Sequence, residues 1–491
     1  MRKKLLENSI DIDLTNIILD NYNNKKIGQD SGIKLKEFPI IDNKTVIDLK
    51  NFTEMSFTQE QIDNFFNKYN LNKELYSRCK ASNFILNREL LEEIGVNLYP
   101  FFSFGVLNGG SATSYVDYKK NRDFSPQLLN SLSDIFENLT ALYKNRAKGI
   151  TPAFINPNGV AGPSFMELKM RSLLLEAKRY KKLTGKGNKQ LFPIFQMTST
   201  SNNDSIISYY QSIKSSKYLK KLTGDTGINI TDVLTGVQPL ILAYTHSKHG
   251  AKKQIFLDEK GNPLPLPGGH GHCFYTLKQT FHELYNRGIK FVSIGNVDNI
   301  GYTVDPLSLA LLGITNKEAT FDFSFKTTFD VKGGVLIRES SNKINCADLG
   351  VAISKDEVVA AESMDKPILF NCATGLFNLE HLIKNLDYII DKLPTRFTDQ
   401  NKDVGLYSQA EQVTWEVISI LDDFLILAVD KYDRFLASKL LLENLATSGL
   451  VQNIDDETLK QCAVELNRGL VNNLKNKFNL YLKDGEWIPN D

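Results

Sequence analysis

The chain has 491 residues, enough for about three ordinary domains or one large α/β core with terminal additions, and a mini-protein is excluded. Lys and Arg number 58 against 57 Asp and Glu, so a formal charge of +1 gives no whole-molecule field for nucleic acid or an anionic membrane, and any anionic ligand has to be met by local charge. A 42% hydrophobic fraction without a run of 18 apolar residues indicates a globular core and no transmembrane helix.

The opening stretch, Met1 to Glu7, begins basic but reaches an acid before any apolar run forms, so a signal peptide is not expected and a cytoplasmic location is. Residues 1–95 are rich in Asn, Lys and Asp, with a helix expected to open near Ser56-Phe57-Thr58-Gln59-Glu60 and to carry Ile62, Phe65, Phe66 and Tyr69 on one face. The texture then changes. Phe101 to Leu107 reads as a buried strand ending at Asn108-Gly109-Gly110, and similar strands are expected at Leu191 to Met197, Pro239 to Tyr244 and Phe291 to Gly295. Helical segments lie between them. The clearest begins at Ser164, where Ser164 and Glu167 stand at capping-box spacing ahead of Leu168, Leu173, Leu174 and Ala177. This alternation predicts an α/β fold with a mostly parallel sheet. After about residue 395 the patterns are read as helical, over Gln412 to Ala428, Ala437 to Ala446 and Glu457 to Leu480. The expected segments are therefore 1–95, helical; 96–395, the core; and 396–491, mainly helical. The five cysteines are scattered without a C-x-x-C pair, which predicts reduced thiols, and nothing in the sequence fixes an oligomeric state.

In open parallel sheets, ligands gather beyond the carboxyl ends of the strands. After the first strand, Leu107-Asn108-Gly109-Gly110-Ser111-Ala112-Thr113-Ser114 offers close backbone approach and hydroxyl donors suited to phosphate, although it is neither a G-x-G-x-x-G nor a Walker loop. After the strand at 291–295 come Asn296-Val297-Asp298-Asn299 and then Asp305. A carboxylate in this place suits Mg²⁺ bridging phosphates, whereas the plain alternative is an Asx-turn or helix cap. The segment Pro267-Gly268-Gly269-His270-Gly271-His272 can lay its backbone against a flat base while an imidazole donates to phosphate, and H-x-H without a second ligand pair is poor evidence for zinc. Lys326 and Lys332, six apart in Phe325 to Gly334, would share one side of an extended strand.

Taken in order, these segments resemble the UTP-dependent hexose-1-phosphate uridylyltransferases, the family containing UDP-glucose and UDP-N-acetylhexosamine pyrophosphorylases. Leu107 to Ser114 is similar to the family's L-N-G-G-x-G-T-S, Met197-Thr198-Ser199 to M-[NT]-S, and Pro267 to Gly271 to P-x-G-H-G. Asn296 to Asn299 with Asp305 is similar to N-x-D-N and its following acid, and Lys326 to Gly334 to K-T-x-x-D-V-K-G-G. Weaker similarity continues through Phe370-Asn371 and Arg434-Phe435-Leu436 with Lys439. The resemblance, over roughly 100–440, implies a Rossmann-like nucleotidyltransferase core of the glycosyltransferase-A type. It also implies a Mg²⁺-assisted reaction in which UTP and a sugar 1-phosphate give a UDP-sugar and pyrophosphate. It further implies that Leu107, Asn108, Gly109, Gly110, Thr113, Met197 and Gly269 bind the nucleotide, with Gly269 at the uracil edge. His270, Lys326 and Lys439 would be catalytic through phosphate charge, Asp298 would hold the metal, and Asn371 and Asn299 would face the sugar. Lys332 is a further candidate.

The chain also departs from the family pattern. Ala112 replaces a usual Gly, and Ser111 a usual Leu or Gln. The family's phosphate-binding lysine follows a Gly-Pro soon after the loop, but here Gly162-Pro163 is followed by Ser164, which leaves Lys119, Lys120, Lys148 or Lys169 as substitutes. The family's uracil-recognising Gln would fall near Thr245-His246-Ser247, with His246 in its place. Gly-His-Gly and Val-Lys-Gly-Gly look like the glucose enzymes and Met-Thr-Ser and Val-Asp-Asn like the N-acetylhexosamine ones, with glucose 1-phosphate favoured. A nucleotide-sugar binding protein that kept the fold and lost turnover is the alternative from another class.

Overall fold

The computed structural model describes residues 10–24, 33–112, 115–144, 146–246, 252–327, 330, 332–350, 352–402, 404–450 and 456–491. Its main sheet runs through β1 (Val46–Asp48), β2 (Phe102–Leu107), β3 (Ile194–Ser199), β4 (Val233–Gln238), β5 (Phe291–Asn296), β6 (Ala319–Phe325), β7 (Leu369–Asn378) and β8 (Phe424–Val429). The spatial order is β1-β8-β6-β7-β5-β2-β3-β4. Neighbours are parallel except where β7 lies antiparallel between β5 and β6. The carboxyl ends of seven strands and the amino end of β7 therefore share one rim.

Strands such as Phe-Ser-Phe-Gly-Val-Leu in β2 and Phe-Leu-Ile-Leu-Ala-Val in β8 are buried at every position, as a sheet covered on both faces requires. One face is covered by α1 (Gln59–Tyr69), α2 (Phe165–Thr184) and α3 (Pro306–Thr315), the other by helices Lys278–Asn286 and Leu379–Lys392. The expected cap of α2 forms, Ser164 and Glu167 exchanging side-chain and backbone hydrogen bonds, and Thr58 and Gln61 make a like exchange at the start of α1. Each such cap is worth about 1 kcal/mol.

Two elements differ from expectation. The segment Pro239 to Tyr244 is not in the main sheet: Leu240–Leu242 pairs with Pro265–Pro267 instead, and the sheet takes the preceding Val233–Gln238. Pro239, without an amide hydrogen, stands where the two part. The expected helix over Gln412 to Ala428 is a short 3₁₀ turn, Thr414–Ser419, followed by β8. The main sheet thus draws β1 from the first expected segment and β8 from the last, so the divisions at 95 and 395 do not separate the sheet. The final segment does hold a long helix, Glu457–Asn476, which is followed by the hairpin Leu480–Lys483 and Glu486–Pro489. All five cysteines are free thiols, and no described helix is long and apolar enough to cross a membrane.

Candidate functional site

The loop after β2 is held by a second segment far away in sequence. Ala112 donates its backbone N–H to the Arg146 carbonyl at 2.9 Å, Ser111 pairs with Ala147, and Lys148 donates its N–H to the Gly110 carbonyl at 2.9 Å. Gly149 completes this strap by donating to Oδ1 of Asn108 at 3.2 Å. A Cβ on Gly149 would lie 2.2 Å from that oxygen, so only glycine lets the strap approach so closely. The strap delivers the Lys148 ammonium to Oδ2 of Asp298, which lies beyond the end of β5, and the two form a partly buried ion pair. The Tyr115 ring lies 5.8 Å from the same ammonium.

The turn carrying Asp298 is fixed from beneath. Asn299 is fully buried. Its Nδ2 donates to the Arg434 carbonyl at 2.9 Å, and its Oδ1 accepts the N–H groups of Gly301 and Leu436, each at 3.0 Å. Lys169 of α2 donates to the carbonyls of Asn299 and, at 2.6 Å, Tyr302, and burial pushes its amine well below the usual lysine range. Tyr302 stacks on Phe104 at 4.5 Å between centroids and donates its hydroxyl to the Gly105 carbonyl at 2.7 Å. Asp305 caps α3 and pairs with Arg434 at 2.6 Å. Burial alone would raise its carboxyl, but the Arg434 charge and the Ser308 hydrogen bonds outweigh that and hold it at about 2. Arg434 also reaches Asp322 at 3.6 Å, where burial pushes the carboxyl up to about 6. Tyr302, Asp305, Asp322 and Arg434 help to line a cavity of about 30 Å³, room for about one water.

A second loop approaches from the β4 side. Gln238, the last residue of β4, donates Nε2 to the Gly269 carbonyl at 2.7 Å. Gly269 has a φ of +82°, and a Cβ there would meet the Gln412 carbonyl oxygen at 2.5 Å. Its glycine is therefore required by a neighbouring strand. His270 stands next to it. Thr414 donates its backbone N–H to Nδ1 of His270 at 3.2 Å, and its hydroxyl lies 2.8 Å from the same nitrogen. With Nδ1 accepting, the ring proton belongs on Nε2. Burial lowers the His270 pKa to about 4 against the opposing charge of Asp298, so the ring is neutral near pH 7.

The remaining candidates divide. Gly109 and Gly110 keep their place at the loop, and a Cβ on Gly110 would meet nothing within 4 Å. The side chain of Asn108 does not face a ligand: it is fully buried and donates to Gln196 Oε1 at 3.0 Å. Leu107 and Met197 are core residues packed under the loop. Thr113 and Ser114 lie outside the described residues. Asn299, expected at the sugar, is instead occupied on both polar atoms by main chain. Asn371 stands near the amino end of β7, half-buried, with Oδ1 accepting the Ala373 N–H at 2.8 Å. Lys326 lies just beyond β6 and pairs with Glu362 at 2.7 Å. Lys332 is exposed beyond that strand's end, so the two lysines do not share a strand face. Lys439 is exposed on the loop that runs from Leu436, bonded to Asn299, to Leu441, whose N–H donates to the Tyr115 carbonyl at 2.9 Å.

Of the four substitute lysines, Lys148 reaches Asp298, Lys169 is buried as a prop, and Lys119 and Lys120 are exposed on the helix Tyr118–Phe124. His246 lies 3.7 Å from Asp399, and it is Gln238 that touches Gly269. Sequence reasoning missed Gln238, whose signal is a polar residue closing a strand. It also missed the ion pair of Lys431 with Asp330 at the ends of β8 and β6, which the sequence spacing does not reveal.

Among the described residues no three His, Cys, Asp or Glu side chains gather as a metal cage. A single partly buried carboxylate beside a glycine-rich loop is nevertheless a donor set that fits Mg²⁺, which binds through one or two carboxylates and takes its other ligands from water and phosphate.

A family model described as UTP–glucose-1-phosphate uridylyltransferase matches residues 163–479. A UTP–glucose-1-phosphate uridylyltransferase of Encephalitozoon cuniculi is 23% identical over 270 residues, 53% of this chain and 48% of that protein. UTP–glucose-1-phosphate uridylyltransferase 2 of Dictyostelium discoideum is 31% identical over 137 residues, 26% of each chain. The matched part thus spans at most about half the length of these curated relatives. Among solved structures, the UDP-N-acetylglucosamine pyrophosphorylase of Trypanosoma brucei superposes with a TM-score of 0.56 at 15% identity, covering 90% of this chain and 84% of that one. A variant UDP-glucose pyrophosphorylase of Leishmania major, in complex with UDP-glucose, gives 0.56 at 15% identity over 90% and 77%. At such identity the likeness is one of fold, a Rossmann-like nucleotidyltransferase core with a mixed, mostly parallel sheet.

Proposed function

Because this chain belongs to the UTP–glucose-1-phosphate uridylyltransferase family, we propose that it joins UTP and a hexose 1-phosphate, glucose 1-phosphate first, into a UDP-sugar with release of pyrophosphate. The observation that carries this reading is the Lys148–Asp298 pair set against the Gly109-Gly110 loop, with the charge of Asp298 also felt at His270. On this reading one rim would offer main-chain amides, an ammonium, a carboxylate and a neutral imidazole to a phosphate-bearing ligand. Glucose is preferred to N-acetylhexosamine because the curated relatives bear that name and because of the Gly-His-Gly and Val-Lys-Gly-Gly segments.

The chemical problem is electrostatic. An oxygen of the sugar phosphate attacks the α-phosphorus in line, and the bond from that phosphorus to the pyrophosphate oxygen breaks. The nucleophile is already anionic, so no base has to deprotonate it. Repulsion between two polyanions, and the charge that builds on the departing pyrophosphate, set the barrier. The Gly109 and Gly110 main chain would cradle the phosphates, and Lys148, Lys326 and Lys439 would balance their charge. Nε2–H of His270 would donate to a phosphate oxygen, the Gln238–Gly269 contact would present a polar edge to the base, and Asn371 would face the sugar. Asp298 would hold Mg²⁺, which when bound neutralises charge on the triphosphate.

The test is pyrophosphate release by the full chain from UTP and glucose 1-phosphate with MgCl₂, compared with N-acetylglucosamine 1-phosphate and with ATP, GTP and dTTP. UTP with glucose 1-phosphate is expected to be fastest, and Asp298→Asn to lower kcat by about 10²–10³ without altering the melting temperature. Equal turnover with all four nucleotides would reject the uridine assignment. Saturable UTP binding without pyrophosphate would favour a binding protein of the same fold, a reading supported by Ser164 standing where the family has lysine.

A further inference from the structure

We propose that Lys148 and a divalent cation compete for the Asp298 carboxylate, and that Lys148 turns to the nucleotide's phosphates when the cation holds that carboxylate. This rests on the nucleotide reading above and adds an exchange of partners to it. The ammonium of Lys148 sits on Oδ2 of Asp298 at a position only partly open to solvent, with side-chain exposures of 18% and 17%. A singly and a doubly charged cation placed side by side there repel strongly, because the surrounding protein screens them less than bulk water does. Lys148 and a metal therefore compete for Asp298.

The strap's hydrogen bonds decide where the displaced ammonium can go. The Lys148 backbone is tied to the Gly110 carbonyl, and its neighbours to Asn108 and Ala112, so the main chain stays put while the four-carbon side chain turns. Its pivot lies beside the loop assigned to the phosphates. The Tyr115 ring, 5.8 Å from the ammonium, also faces it. The exchange keeps the local charge close to balanced throughout. Asp298 is balanced by Lys148 or by the cation, and a Lys148 released by the cation has the phosphates of the nucleotide as its next anionic partner. The other lysines at the rim follow the same pattern, Lys326 with Glu362 and Lys431 with Asp330.

The test uses the full chain without nucleotide and Mn²⁺ as the probe, read by electron paramagnetic resonance. Lys148→Met is expected to raise Mn²⁺ affinity roughly tenfold over wild type, about the effect of removing one close competing interaction. Asp298→Asn should abolish this binding in either background. A second arm measures UTP binding in EDTA by calorimetry. Asp298→Asn frees Lys148 and should tighten metal-free UTP binding, and this gain should vanish in the Lys148→Met, Asp298→Asn double variant. The second arm holds even if Lys148→Met alone folds poorly, because Lys148→Gln can close the cycle. Unchanged Mn²⁺ affinity in Lys148→Met, or additive effects of the two substitutions on UTP, would overturn the exchange while leaving the uridylyltransferase reading intact. A Mn²⁺ response with no UTP binding by any variant would instead reject the nucleotide reading, and with it the transfer to phosphate.

Discussion

Thr414 donates its backbone N–H to Nδ1 of His270 at 3.2 Å, and this contact decides which face of the imidazole can do chemistry. A backbone amide cannot accept, so Nδ1 carries the lone pair and Nε2 the proton. Burial keeps the pKa at about 4, so the ring stays a neutral donor through the physiological range. We expect His270→Phe to lower kcat/KM by about 10², and the wild-type profile to show no break near pH 6.5. An inflection near 6.5 that disappears in His270→Phe would contradict the assignment.

Gly269 and Gly110 should respond in opposite ways to the same methyl group. In Gly269→Ala the new Cβ meets Gln412 at 2.5 Å with φ at +82°, so destabilisation of about 1–3 kcal/mol is expected. In Gly110→Ala the Cβ meets no protein atom within 4 Å, so the melting temperature should hold while UTP affinity falls. Thermal denaturation and UTP titration of the two variants check this. Equal loss of stability in both would remove Gly110 from the ligand face.

Arg171 of α2 is fully buried and grips the end of the described chain. It donates to the carbonyls of Phe478 at 2.5 Å, Tyr218 at 2.8 Å and Asn479 at 3.1 Å, and its two terminal nitrogens hold the Asp491 carboxylate at 2.7 and 3.0 Å. Removing one partner of such a pair strands a buried charge. Arg171→Met should therefore cost about 3–5 kcal/mol in urea denaturation, more than Asp491→Asn, which leaves the guanidinium its three carbonyls. A loss below about 1 kcal/mol would show that the pair is solvated in solution.

His272 supplies a pH test of stability. It is 3% exposed, its Nδ1 has no hydrogen-bond partner among the described residues, and burial lowers its pKa from 6.5 to about 4. The unfolded chain binds the proton first. The stability contributed by the neutral ring is thus full above about pH 6.5 and is lost as pH falls from there toward 4. His272→Phe should differ little from wild type at pH 7.5 and gain about 2 kcal/mol relative to it at pH 5. A difference that does not change with pH would contradict the shift.

Much of this architecture is legible in the sequence, for reasons that can be traced to particular residues. The strands β2 and β5 are recognisable because short apolar runs stop at Asn-Gly-Gly and at Asn-Val-Asp-Asn, and α2 because Ser164 and Glu167 stand three apart. The run Phe-Leu-Ile-Leu-Ala-Val of β8 misleads, since six apolar residues fit a buried helix as well as a buried strand. β4 is obscured by Thr235 and Gly236 inside it and by the apolar run that follows Pro239. At the site, a strand-end acid is readable, so Asp298 stands out. Its neighbour Asn299 carries the same local signal, yet only the approach of Arg434 and Leu436, more than 130 positions away, occupies its side chain. Lys148 is hidden for the same reason. It lies about 40 residues beyond the loop it serves, and a β-bridge, not a motif, brings it there.

The weaving of both chain ends into one sheet sets a limit on how this protein can be dissected. A fragment cut to residues 96–395 would lack β8, leaving β6 with a bare edge of seven residues, six of them buried in the intact fold. An uncovered apolar edge of that length is a template for strand addition, so such a fragment should precipitate or form fibrous aggregates before it binds anything.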